Sequence, residues 1–411
     1  MSKGYKWIMI ALLSCAFFFH QADRALFGLL TLPIQDELKL DDVQIGWINT
    51  TLSWTLALMT MIAGFVGDRF SRKWIITLSL IAWSLMTVCM GFIGGFVGAL
   101  FFRSIATGVG ESFYAPSAYA LIAVHHKQTR SVALSIHQAA LYIGLMVSGL
   151  LVAWALGFLG SWRNVFIAFG LAGLLLGLLF VFALKDGAPQ ASEGAVQAAK
   201  QPILQSFKVY FGNPSALCAT AGFVAIVFVN NAYLFWAPKF AATKFAVDVG
   251  AAGRDVMLYH HLLAFGAILL GGFLTDRFVV RMPRFRLGFQ IVALLLGAPM
   301  LLWIGLAPSF AAMILAASAY GVFRGFFEVN THASLFDVVP PAHRSAAVGM
   351  LNMIAFFFGG LSGVVMGWLS KAYGVHGFEY GFMLMAGAYA LAAALMAISF
   401  FFTFRRNRVI E

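Results

Sequence analysis

The 411-residue chain is 61% hydrophobic and only 10% charged, with a formal net charge of +11. Soluble domains are usually about a quarter charged, so this balance, with a mean hydropathy of +0.88, excludes an ordinary water-soluble protein. The basic residues are scattered over short polar stretches without a continuous tract or aromatic-basic stripe, which argues against a nucleic-acid partner.

The chain opens with Lys3 and Lys6 ahead of an apolar stretch, as a signal peptide does. No convincing small-residue cleavage site follows, however, and the apolar pattern resumes through Leu32. It is therefore read as a first spanning helix over 7–34. Further apolar runs, long enough to cross a ~30 Å hydrocarbon core, occupy 45–67, 74–94, 97–124, 131–158 and 163–184. A polar stretch from Lys185 to Pro202 follows, and then runs at 212–237, 255–275, 287–306, 309–336, 345–369 and 380–403. The expected fold is all-α and integral to a membrane, with twelve transmembrane helices, because lipid offers no water to an open strand edge. Residues 1–186 and 208–411 are each expected to form a six-helix bundle, joined by a cytoplasmic linker over 187–207. Placing both termini in the cytoplasm leaves only Lys39, Arg163, Lys239, Lys244, Arg254 and Lys371 among the basic loop residues outside. Cys15, Cys89 and Cys218 lie within apolar runs and lack metal-ligand spacing, so they are read as core residues, with no metal expected.

The two halves repeat one another. Gly64, Asp68 and Arg69 recur 208 residues later as Gly272, Asp276 and Arg277. The stretch from Arg130 aligns with that from Arg344, sharing Arg130/Arg344, Ser131/Ser345, Ala133/Ala347, Ser148/Ser362 and Gly149/Gly363. With six crossings per half, these matches imply parallel repeats related by an axis along the membrane normal.

The loop Gly64-x3-Asp68-Arg69-x2-Arg72-Lys73 resembles the signature of the major facilitator superfamily between its second and third helices, with Ser71 where that family usually has Gly. In physical terms, Asp68 accepts hydrogen bonds from amides and basic side chains at a helix end, latching two helices in one conformational state. The resemblance extends this latch to Arg69, Arg72 and Lys73 and to the second copy at Asp276 and Arg277. His20-Gln21-Ala22-Asp23-Arg24 is similar to the Asn-Tyr-x-Asp-Arg element of the anion:cation symporters. Gly108-Val109-Gly110-Glu111, followed by Tyr114-Ala115-Pro116, is similar to an element of that group and of the Spinster-like transporters. Ser161-Trp162-Arg163-Asn164-Val165-Phe166 resembles the family's Gly-Trp-Arg-x-x-Phe start of helix six. Both groups place an arginine seven residues before the glutamate, whereas Arg103 lies eight before Glu111. On an α-helix that turns it by about 80°, so Arg103 lines the cavity only if the helix is locally distorted.

Ionisable groups inside a membrane cost ~2.5–3.5 kcal/mol each and usually face a bundle interior or cavity. Here they are Asp23, Arg24, Arg103, Glu111, Arg324 and Glu328, with His20, His137 and His332 at similar depths. A carboxylate taken out of water favours its neutral form and can carry a proton, so Asp23, Glu111 and Glu328 are the proton-coupling candidates. Arg24 can hold an anion bidentately, with His20, Tyr114, His137, Gln138, Asn230, Asn231, Tyr233 and Asn352 as further substrate-binding candidates. Arg324 and Glu328 are spaced for an ion pair on one helix face, which serves equally as structural glue. No P-loop, HExxH or GxSxG element is present, so neither an enzyme nor a cofactor is expected. The resemblance implies a secondary transporter of the bacterial inner membrane, a monomer that moves a small organic anion such as a sugar acid together with a proton. Two alternatives stand beside it: a Spinster-like exporter of a lipid or drug-like molecule, and a membrane sensor that transports nothing.

Overall fold

The structure, a computed structural model, describes residues 4–126, 129–186 and 203–409, and every regular element among them is helical. Six crossings come first: α1 (Tyr5–Leu29), α2 (Asp42–Arg69), α3 (Arg72–Met90), α4 (Phe96–Ala99, Leu100–Ala106, Thr107–Ser112 and Tyr114–His125 in succession), α5 (Arg130–Leu159) and α6 (Trp162–Ala183). The other six are α7 (Pro214–Phe245), α8 (Val249–Val279), α9 (Phe285–Leu306), α10 (Phe310–Glu328 continued by Thr331–Phe336), α11 (Arg344–Gly360 with Ser362–Tyr373) and α12 (Val375–Ile398, Ser399–Thr403 and Phe404–Asn407). Among the described residues nine helices are long and apolar enough to cross a membrane by composition alone. The other three crossings are α1 and α2, which carry many polar residues, and the segmented α4. Of the expected linker, residues 187–202 lie outside the described residues, and the rest belongs to the short helix Ile203–Phe211.

Local chemistry sets the helix ends. At α2 the Asp41 carboxylate accepts from the Gln44 amide at 2.8 Å while the Gln44 side chain accepts from the Asp41 amide at 3.0 Å, a reciprocal cap. Ser71, Ser161 and Ser309 cap α3, α6 and α10 in the simpler way. α4 is irregular. Leu100–Ala106 is a π-helix, and the helix breaks again at Phe113, where Pro116 has no amide to offer the Ser112 carbonyl one turn back.

The chain forms two compact units, Met1–Gln190 with Leu234–Leu258, and Ala191–Tyr233 with Tyr259–Glu411. In the first, α1 packs along α5 and α3 along α6. A Cβ on Gly170 would stand 2.7 Å from the Ser84 carbonyl, so only glycine permits the α3–α6 approach. In the second, α9 packs against α10 and α12. The outward faces are apolar, with Phe158 at 76% and Phe182 at 77% exposure, as a surface bathed in lipid requires. That inversion corrects the reading of the cysteines: Cys15 is exposed and Cys89 and Cys218 are half-buried, because an apolar run in a membrane protein need not face a core.

Candidate functional site

In the first unit, charged side chains from α1 and α4 converge. Arg24 donates from Nε to Glu111 Oε2 at 2.8 Å. Arg103 lies 3.4 Å from Asp23 Oδ2 and also donates from Nη2 to the backbone carbonyls of Asp23 (3.3 Å) and Arg24 (3.0 Å). Its Nη1 stands 4.0 Å from Glu111 Oε1, so the two pairs form one network. Thr87 on α3 donates to the second Asp23 oxygen at 2.9 Å. His20 Nε2 lies 3.6 Å from Glu111, and Gln21 holds the other ring nitrogen at 2.9 Å.

Arg103 reaches this network through the π-helix. Its wide turn accommodates one extra residue, so an eight-residue spacing behaves like seven and Arg103 returns to the face of Glu111. The Thr107 hydroxyl donates five residues back to the Phe102 carbonyl at 2.7 Å, and Ser104 bonds the Ile48 carbonyl on α2 at 2.5 Å.

Two carboxylates and two guanidiniums are thus buried together, and their formal charges cancel. Burial of ions on this scale is tolerated only when they are paired and hydrogen-bonded. Arg24 is the most accessible member, with its side chain 23% exposed against 0% for Glu111. Among the described residues its two Nη groups donate to nothing, which leaves one edge of the fork open.

Other expected residues are placed differently. Tyr114 donates to the Leu13 carbonyl at 2.5 Å, so at 3.2 Å it accepts from His137 Nε2, which must carry the ring proton. Phe17 stacks on that imidazole at 4.4 Å. Both Tyr114 and His137 are fully buried. Gln138 is exposed and accepts from Tyr119 at 3.0 Å.

The second unit carries its own polar cluster. Arg324 lies 3.2 Å from Glu328 and donates from Nη1 to His260 Nε2 at 3.1 Å. Since arginine only donates, His260 is neutral and gives its Nδ1 proton to the Ala317 carbonyl at 3.0 Å. The Tyr233 ring lies 4.3 Å from the imidazole, and Tyr320 and Tyr389 join hydroxyls at 2.9 Å. Asn230, Asn231 and Asn352 are half-buried on α7 and α11. Sequence reasoning passed over His260, Tyr320, Tyr389 and Thr87. The available signal was the His260-His261 pair inside an apolar run.

Of the loop signature, the side chains of Asp68 and Arg69, and the surroundings of Gly64, lie outside the described residues. Lys73 donates from Nζ to the Val181 carbonyl at 2.7 Å, tying the start of α3 to the end of α6. Arg72 is half-buried, while Asp276 and Arg277 are exposed. Elsewhere in the first unit, Lys239 on α7 contacts Asp42 and lies 2.6 Å from Gln35. The Trp162-Arg163 motif grips Glu37 through the indole at 2.6 Å and the guanidinium at 2.7 Å.

Comparison with known proteins places these features in a family. Protein spinster of Drosophila melanogaster is 24% identical over 376 residues, covering 86% of this chain. The "Probable galactarate/D-glucarate transporter GarP" of Escherichia coli (strain K12) is 27% identical over 287 residues, covering 63%. The aligned regions span 60% and 64% of these relatives' own lengths. A crystal structure of a bacterial homolog to the human lysosomal transporter Spinster, inward-facing and unoccupied, superposes with a TM-score of 0.87 over 100% of both chains at 21% identity, a likeness of fold. The sequence profile described as Major Facilitator Superfamily matches residues 12–307, well over half of the chain. With twelve crossings, a repeated loop signature and this match, the chain belongs to the Major Facilitator Superfamily.

Proposed function

We propose that the protein is a secondary transporter that moves a small organic anion, such as a sugar acid, together with a proton by alternating access. It acts as a monomer in the bacterial inner membrane with both termini in the cytoplasm. The Arg24–Glu111 pair carries the reading. While Glu111 is ionised it occupies Arg24. A proton arriving on Glu111 cancels that charge and frees the guanidinium to take a substrate carboxylate through two parallel hydrogen bonds. Proton and anion then bind together, which is what symport requires. Asp23, held by Arg103 and Thr87, is a second proton site, and Glu328 with Arg324 a third. The name of the Escherichia coli relative, which specifies galactarate and D-glucarate, supports the substrate class.

The test is uptake of labelled galactarate and D-glucarate into liposomes containing the purified protein. Wild type is expected to accumulate one of them along an inward proton gradient. Glu111→Gln keeps the shape of a protonated glutamate but cannot release a proton, so it should retain counterflow between two filled compartments and lose uphill accumulation. Gradient-driven accumulation by this variant would rule out Glu111 as the carrier. A second reading, export of an amphipathic molecule, rests on the Spinster-like resemblance of the stretch Gly108-Val109-Gly110-Glu111 with Tyr114-Ala115-Pro116. It gains if sugar acids give no flux and a lipid-like substrate does.

A further inference from the structure

At one end of the second unit, the loop before α9, the start of α9 and the end of α12 line an open groove of about 630 Å³. Its wall is apolar, formed largely by Phe289, Val292, Phe400 and Phe404, and three arginines, Arg284, Arg405 and Arg408, complete the lining. The π-helical turn Ser399–Thr403 carries Phe400 into this wall. Opposite it, Gly288 keeps the floor low, since a Cβ there would stand 3.2 Å from the Phe400 ring. Arg284 rests over the same ring at 5.4 Å, which holds its guanidinium where the apolar wall ends.

The charge here is unbalanced. Arg286 uses the Asp337 carboxylate at 2.7 Å. Among the described residues Arg284, Arg405 and Arg408 form no direct ion pair, Arg408 feels the Asp337 carboxylate only through space, and Arg405 and Arg408 are exposed. A basic rim on an apolar groove at a membrane boundary complements a molecule that is anionic at one end and hydrocarbon at the other.

We propose that this groove binds an anionic phospholipid of the surrounding bilayer, its phosphate held by Arg284, Arg405 and Arg408 and an acyl chain lying along Phe289, Val292 and Phe400. The lipid anchors the end of α12 to the start of α9.

Lipid retention by native mass spectrometry, together with thermal unfolding in detergent, tests this with phosphatidylglycerol and phosphatidylcholine of identical chains. Phosphatidylglycerol is expected to be retained preferentially and to raise Tm. Arg284→Gln, Arg405→Gln and Arg408→Gln should each weaken its apparent affinity about fivefold. The triple variant should lose the preference, and the single variants decide should the triple not fold. Arg406→Gln, at the same end but outside the lining, should leave the preference unchanged. Equal retention of phosphatidylcholine, the same stabilisation from inorganic phosphate alone, or a loss in Arg406→Gln as large as in Arg408→Gln would overturn the proposal.

Discussion

Glu37 shows how one short motif ties the short helix Thr31–Leu38 to the start of α6. The Arg163 guanidinium and the Trp162 indole both donate to it, and these bonds hold its carboxyl below the usual carboxylate range. A group whose pKa is lower in the folded state contributes stability above its unfolded value and loses it as pH falls through the folded one. Glu37→Gln is therefore expected to lower Tm slightly at neutral pH. The gap from wild type should close as the pH drops below about 4, and a gap that stays constant across a pH series would deny the charged contact. Residues of this kind differ in how they announce themselves. Asp23, Arg24 and Glu111 are legible in the sequence because a charge in an apolar run has few stable fates. His260 is less so: the His260-His261 pair marks the position, but a neutral imidazole reads like any other polar member of a helix, and its partner Arg324 lies 64 residues away.

At the scale of the helix, the π-helical segment of α4 decides whether the first-unit network exists. Eight residues of regular helix would leave Arg103 about 80° from Glu111. Hydrophobic periodicity reports which residues are apolar but not where a helix has absorbed an extra one, so the phase of Arg103 could not be read without the backbone. Deleting Ile105 is expected to collapse the π turn into α-helix, restore a seven-residue spacing and preserve the Arg103–Asp23 pair. Stability and uptake should then stay near wild type. Inserting an alanine after Val109 adds a residue that nothing absorbs, and swings Arg103 by about 100°. That leaves buried carboxylates unpaired, at a cost of about 3–5 kcal/mol. Thermal unfolding of the two variants side by side distinguishes them, and equal destabilisation would mean that the π turn does not set the phase. Helix starts are set within a single turn, by the capping side chains of Asp41, Ser71, Ser161 and Ser309.

Across the whole molecule, the number of crossings and the family were legible from hydropathy and one loop signature, because a bilayer permits so few backbone solutions. The cancellation of charge in the first-unit network has an electrical consequence. On the proposed alternating-access mechanism, two carboxylates against two guanidiniums let the empty carrier reorient without moving net charge through the field. If the loaded form keeps that balance, each negative charge on the substrate must travel with one proton, so a dicarboxylate such as galactarate takes a second proton, on Asp23, and the proposed symport generates no current. A carrier that moved one net charge per cycle would gain ~2.3 kcal/mol from a 100 mV potential, equivalent to about a fiftyfold change in accumulation ratio. For this protein, a potassium gradient with valinomycin is expected to leave the ratio unchanged while a pH gradient drives it, and a fiftyfold response to voltage would show that a proton or a substrate charge crosses uncompensated.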